Sequence, residues 1–127
     1  MNPMVMLGGI VAGIILAGVG ALTVPGWVAG AYDGAAENDL SHARIVQAQI
    51  FQATNAYAPN ATALRAGARG VTFTPSSATL EESTSSGGRW CTVVRSQSKT
   101  YFAASNNQVN YGKGTTIAAA KAAAACS

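Results

Sequence analysis

The sequence holds one histidine, His42, two cysteines, Cys91 and Cys126, and five acidic residues among 127. Chemistry that depends on clusters of these types is short of parts. No second ligand stands at metal-site spacing from His42, which sits among polar positions and reads as a surface residue. No glycine-rich phosphate cradle follows a strand, and the acids Asp33, Glu37, Asp39, Glu81 and Glu82 have no partner set for acid–base or nucleophilic work. The sequence therefore points away from an enzyme and offers no catalytic, cofactor-binding or metal-binding residues. A basic run is missing as well. Arg65, Arg69, Arg89, Arg95, Lys99, Lys113 and Lys121 are scattered, so the net charge of +3 gives only a weak footprint for nucleic acid. Weak binding to DNA or to an anionic surface is the partner class these bases leave open.

Charge is absent altogether from Met1 to Tyr32. Within that stretch Met4 to Val24 is long enough, as a helix of about 30 Å, to cross a bilayer core. A secretory signal peptide would carry a positive leading region and a shorter apolar core, so the segment reads as a retained helix. Gly9, Gly13, Ala17 and Ala21 recur every four residues and form a smooth ridge on which another helix can approach closely. Pro25-Gly26 interrupts the pattern, because proline removes a backbone donor and clashes with the preceding turn; a kink or locally melted stretch is expected between Thr23 and Gly30. Trp27 and Tyr32 suit a membrane interface or packing between subunits.

Three parts follow. Residues 1–32 form a hydrophobic helix, filament core or membrane span. Residues 33–58 continue it as an amphipathic helix in which Ala36, Leu40, Ala43, Val46, Ile50, Ala53 and Tyr57 share one face. Asp33, Glu37 and Asp39 stand where they would complement the positive end of a helix restarting after the break. Ala58-Pro59 closes this section, and residues 59–127 form a β-rich head with a cysteine-tethered tail. The fold class is α+β, a long kinked helix packed on a small antiparallel sheet of three or four strands. The strands are expected at Gly70–Thr74, Arg89–Ser96, Thr100–Ser105 and Gln108–Tyr111. The side of the second strand that carries Cys91 should face the helix. Ser76–Gly88, polar and of low complexity, reads as an exposed loop. Asn60-Ala61-Thr62 matches a glycosylation sequon, a pattern short enough to arise by chance. The alanine-rich segment after Thr116 has high helix propensity but could equally be held extended by its cysteine.

The number and placement of Cys91 and Cys126 suggest one bridge, and the apolar leading segment points to export, where disulfides persist. Such a bridge would contribute roughly 3–4 kcal/mol to a head this small.

A hydrophobic N-terminal helix with a proline some way in, an amphipathic continuation ending near NAYAPNATAL, and strands with one cysteine among them and another near the C-terminus together resemble type IV pilins and pseudopilins. The segment GRWCTVVRSQSKTYFAASNNQV is the most telling, being similar to the strand, Ser/Lys turn, strand and final turn of short Gram-positive-type pilins. The resemblance implies a structural subunit of an extracellular helical filament serving adhesion, motility or DNA uptake. It also implies helix packing through Gly9, Gly13, Ala17, Ala21 and Pro25 and a structural bridge between Cys91 and Cys126. The implied partners are copies of the chain in a homopolymer, the cytoplasmic membrane before assembly and the pilus assembly machinery. A membrane-anchored binding module, or a minor pilin or pseudopilin of a secretion or competence machine, are the alternative readings. The family's usual glutamate near the mature N-terminus has no counterpart: Val5 and its neighbours are uncharged.

Overall fold

The computed structural model describes residues 3–126, with side chains from residue 28 onward. The ridge of Gly9, Gly13, Ala17 and Ala21 and the kink at Pro25-Gly26 lie outside the residues described in that detail. Among the residues whose side chains are described no helix is long and apolar enough to cross a membrane; the uncharged stretch Met4–Val24 lies outside them.

One helix, α1, spans Pro3–Thr54. Its apolar stripe forms as the spacing predicts: Ala36, Leu40, Ala43, Val46 and Ile50 are all buried. Because α1 is a single element, Asp33, Glu37 and Asp39 stand in mid-helix and not at a restarted N-terminus, so the expected dipole role does not apply to them. The helix stops short of Ala58. Thr54 turns its Oγ1 back to the Ile50 carbonyl at 2.8 Å and also donates to the Ala56 carbonyl at 2.9 Å, and Asn55 takes a left-handed φ of 61°. Ala53 is consequently exposed, and Tyr57 packs on the core from the loop.

A short helix, α2, spans Ala61–Ala66 and is capped by Asn60, whose Oδ1 accepts from the Ala63 amide at 2.8 Å. After it the chain makes only an isolated bridge between Ala68 and Val71, so no strand occupies Gly70–Thr74. Gly67 explains part of this. Its φ is +65°, and a Cβ there would come within 1.8 Å of the Val71 carbonyl oxygen, which fixes a tight reversal where a strand would begin. Phe73 then plugs the core with 2 % exposure.

The sheet is antiparallel with strands in sequence order: β1 Thr79–Ser86, β2 Arg89–Arg95, β3 Tyr101–Ser105 and β4 Gly112–Gly114. Most of the expected loop Ser76–Gly88 is therefore strand β1. Its serines and threonines lack the apolar alternation that advertises a strand, yet they pair with β2 along their length. Buried Ser83 and Thr92, cross-strand neighbours, satisfy each other through their hydroxyls at 2.9 Å. β4 lies just beyond the expected Gln108–Tyr111, which is loop.

The two faces of the sheet have separate cores. Leu80, Trp90, Val94, Phe102 and Ala104 pack with Leu40, Val46 and Ile50 of α1. Cys91, Val93 and Ala103 pack on the opposite face against Ala120 and Ala124, which belong to a C-terminal helix, α3 Ile117–Ala123, and the residue after it. This reverses the expectation that the cysteine side faces α1. The bulkier side chains of β2, Trp90 and Val94, fill the space under α1, and the cysteine side is left for a thin alanine-faced helix. Gly112 permits the close approach: a Cβ there would lie 2.3 Å from both the Ala120 carbonyl oxygen and the Ala124 nitrogen.

Candidate assembly surface

Polar ties hold α1 to the head, and each begins with a residue on or beside the helix's buried stripe. Asp39 is 3 % exposed, one position before Leu40. Its carboxylate accepts from the Ser76 amide at 2.9 Å, the Ser76 hydroxyl at 2.8 Å, the Ser77 amide at 3.3 Å and the Ala78 amide at 3.1 Å. Burial alone would raise the acid's pKa, but the hydrogen bonds from Ser76, Ala78 and Ser77 outweigh it and hold the carboxyl below its ordinary value. Gln47, 1 % exposed, accepts from the Ala58 amide at 2.9 Å and so ties the chain beyond the helix end back to its middle. Asp33 accepts from the Ser98 hydroxyl at 2.5 Å in the β2–β3 turn and lies 4.0 Å from the Lys113 ammonium.

A second stripe of α1 faces the segment between β3 and β4. Ser41 hydrogen-bonds the Tyr111 hydroxyl, and Arg44 lies over the Tyr111 ring at 4.9 Å. The Arg44 guanidinium donates to the Gln108 carbonyl at 3.2 Å, while its buried Nε has no partner. Arg44 also lines an open cleft of about 390 Å³ with Trp90, Asn106, Gln108 and Val109. Val109 is 82 % exposed at the apex of this loop, and Ile45, beside Arg44 on the helix, is 56 % exposed.

The far side of the sheet is closed by the tail. Cys91 and Cys126 are disulfide-bonded, with Cα atoms 5.6 Å apart and a sequence separation of 35. The Ser105 hydroxyl donates to the Ala124 carbonyl at 2.6 Å, Gln108 to the Ala123 carbonyl at 2.8 Å, and Asn107 to the Ala125 carbonyl at 3.1 Å. Lys121 pairs with Glu82 at 2.5 Å across the same face.

Of the site residues expected from sequence, the structure brings together Cys91 and Cys126; the packing ridge and the kink fall outside its described side chains. His42, read as a surface residue, is partly exposed and packs on Phe73 with ring centroids 5.9 Å apart. Among the described residues no three metal-ligating side chains cluster. The Asp39 socket and the Arg44 stripe were not read from sequence. Asp39 was legible in one respect, since it falls three residues after Ala36 and four before Ala43, on the stripe that had to be buried. No family model matches the chain, and no curated protein matches it in sequence.

Proposed function

We infer that the chain is a structural subunit of a type IV pilus-like helical filament at the cell surface, assembled through its N-terminal hydrophobic helix and without catalytic activity. The observation that carries this reading is the division of labour along α1. The same helix that begins in the uncharged segment has its later half locked into the head, through Ala36, Leu40, Ala43, Val46 and Ile50 and through Asp39 and Gln47. An element so anchored transmits a load from the apolar segment to the head. A segment of about 20 uncharged residues needs lipid or other helices around it, and the Gly9, Gly13, Ala17, Ala21 ridge favours copies of itself. The subunit would then sit in the cytoplasmic membrane before assembly and be handled by a pilus assembly machinery.

Electron microscopy of material sheared from cells making the full chain should reveal thin helical filaments containing it. Substituting Gly13→Leu and Ala17→Leu should abolish them while leaving the membrane-bound subunit at normal abundance. A chain found only as a membrane-held monomer, with no filaments under conditions where it is abundant, would overturn the reading in favour of a tethered binding module.

A further inference from the structure

We propose that the head carries a saccharide-binding cleft at the C-terminal end of α1, in which the Phe51 ring stacks on the face of a neutral sugar and Asn55, Tyr57 and Ser86 bind its hydroxyls. This goes beyond the filament reading and stands on the head alone. Phe51, in the last turn of α1, is 37 % exposed, and it is the aromatic one of three large apolar side chains left at the surface among the described residues. It lines an open cleft of about 170 Å³ between the end of α1 and the tip of the β1–β2 hairpin, where Phe51, Asn55 and Tyr57 meet Ser86, Gly87 and Gly88.

The aromatic wall of the cleft is fixed from beneath. The Phe51 and Tyr57 rings lie 4.7 Å apart, and Tyr57 in turn packs 6.5 Å from the buried Trp90. The face of such a ring is electron-rich and attracts the polarised C–H groups that line one side of a pyranose. Beside it stand neutral polar groups with nothing to bond. Among the described residues the Asn55 amide group, the Ser86 hydroxyl and the Tyr57 hydroxyl make no hydrogen bond, whereas the Ser85 hydroxyl is engaged with the Tyr57 carbonyl at 3.2 Å. A few placed polar groups against an apolar wall are what orient a small ligand. Asn55 is held there by the helix end, with its left-handed φ of 61° and its backbone N–H bonded to the Phe51 carbonyl at 2.7 Å. Gly87 and Gly88, with φ of 59° and 81°, make the two-residue turn, and a Cβ on either would meet nothing within 4 Å, so the hairpin ends in bare backbone beside the rings.

Charge selects the ligand class. No charged side chain lines the cleft. The Arg69 guanidinium reaches the end of α1 but is tied to the side-chain and main-chain oxygens of Gln52 at 3.2 and 3.3 Å, and Arg89 lines a separate cleft beside the disulfide. A nucleic-acid strand needs cations for its phosphates as well as rings for its bases. A neutral sugar needs only the rings and the idle polar groups. In a filament packed through the uncharged segment, Phe51 stands at the opposite end of α1, and weak sites repeated along the fibre would act together on a glycan-bearing surface.

The test uses the full chain, solubilised in a detergent without a sugar headgroup and captured at high density on a surface. The probes are polyacrylamide conjugates of galactose, glucose, mannose and N-acetylglucosamine, with oligothymidylate as the nucleic-acid comparison. At least one sugar conjugate should be retained and then released by the same free sugar. Phe51→Ala should lower that retention about tenfold or more, as the loss of a stacked anchor. Two further variants keep the test independent of how Phe51→Ala folds: Asn55→Gly accepts the left-handed backbone and removes the amide, and Tyr57→Phe keeps the ring and removes the hydroxyl. Each should weaken retention several-fold at an unchanged melting temperature. Retention of no sugar conjugate, or equal retention by the unaltered chain and all three variants, overturns the cleft. Retention of oligothymidylate alone, lost in Phe51→Ala, overturns the ligand class and makes the rings a shelf for bases. Because every measurement is made on the solubilised chain, failure here leaves the filament reading untouched, and absence of filaments leaves this site untouched.

Discussion

Asp39 is the residue at which burial and charge are most nearly in conflict. Four donors converge on a carboxylate that has almost no contact with water, so removing the acceptor leaves the buried Ala78 amide, and the part-buried donors of Ser76 and Ser77, without their partner. Asp39→Ala in the detergent-solubilised chain should cost about 2–4 kcal/mol and lower the melting temperature accordingly. Asp39→Asn should recover part of the loss, because its carbonyl oxygen still accepts, though its amide nitrogen then meets donors. The pH dependence follows from the direction of the shift. A carboxyl whose folded pKa is depressed contributes stability that is fully present above its unfolded value, near 3.8, and is lost as pH falls through the lower folded value. The midpoint of thermal unfolding should therefore drop below about pH 4 in the unaltered chain, and the Asp39→Asn variant should show a shallower drop over the same range. Identical acid profiles for the two would place the acid sensitivity elsewhere.

At the scale of elements, the cross-link and the helix it holds act together. Helix α3 has seven residues, too few to persist alone in water, and it is an alanine face with little area to bury. Its attachment comes from the Cys91–Cys126 bond, the carbonyl contacts of Ser105, Asn107 and Gln108, and the Lys121–Glu82 pair. Cys126→Ser should destabilise the head by about 4 kcal/mol on the chain-entropy estimate for this loop, and mass analysis of the native protein after alkylation should find no free thiol. The elements also divide sharply in how legible they were. The amphipathic half of α1 was plain because five apolar residues recur at helical spacing, and β2 and β3 because their β-branched and aromatic residues cluster. β1 was hidden because its strand-forming partner is β2, not its own composition: Thr79–Ser86 shows buried residues only at Leu80 and Ser83, with a bulge between Leu80 and Glu82 that breaks the period. The face of the sheet was misassigned for a related reason. The pattern of β2 gives alternation but leaves five consecutive positions from Trp90 to Val94 buried, so both faces are apolar and neither is marked as the one beneath α1. The Asp39 socket needed tertiary information, since its donors lie nearly forty residues away in sequence.

For the whole molecule, the separation of the two cores has a mechanical consequence. Under α1 lie Leu40, Val46, Ile50, Phe73, Trp90, Val94 and Phe102, each worth roughly 1.5–3 kcal/mol if fully buried. The core on the tail side is smaller: Cys91, Val93 and Ala103 of the sheet meet Ala120 and Ala124, with Tyr101 and Ile117 only partly buried beside them. The stronger core joins the head to the long helix, and the weaker one depends on a covalent bond at its edge. Reduction of the disulfide should therefore act on one face only. In hydrogen exchange on the reduced full chain, the amides of Ile117–Ala123 should lose protection first, while those from Leu40 to Ile50 and in β2 and β3 stay protected until the head unfolds as a whole. Under the filament reading, reduced filaments should keep their diameter and helical repeat with the tail exchanging freely. Simultaneous loss of protection in α3 and in the Leu40–Ile50 segment would mean that the two faces unfold as one unit, and that the bond at Cys126 bears on the joint between helix and head as much as on the tail.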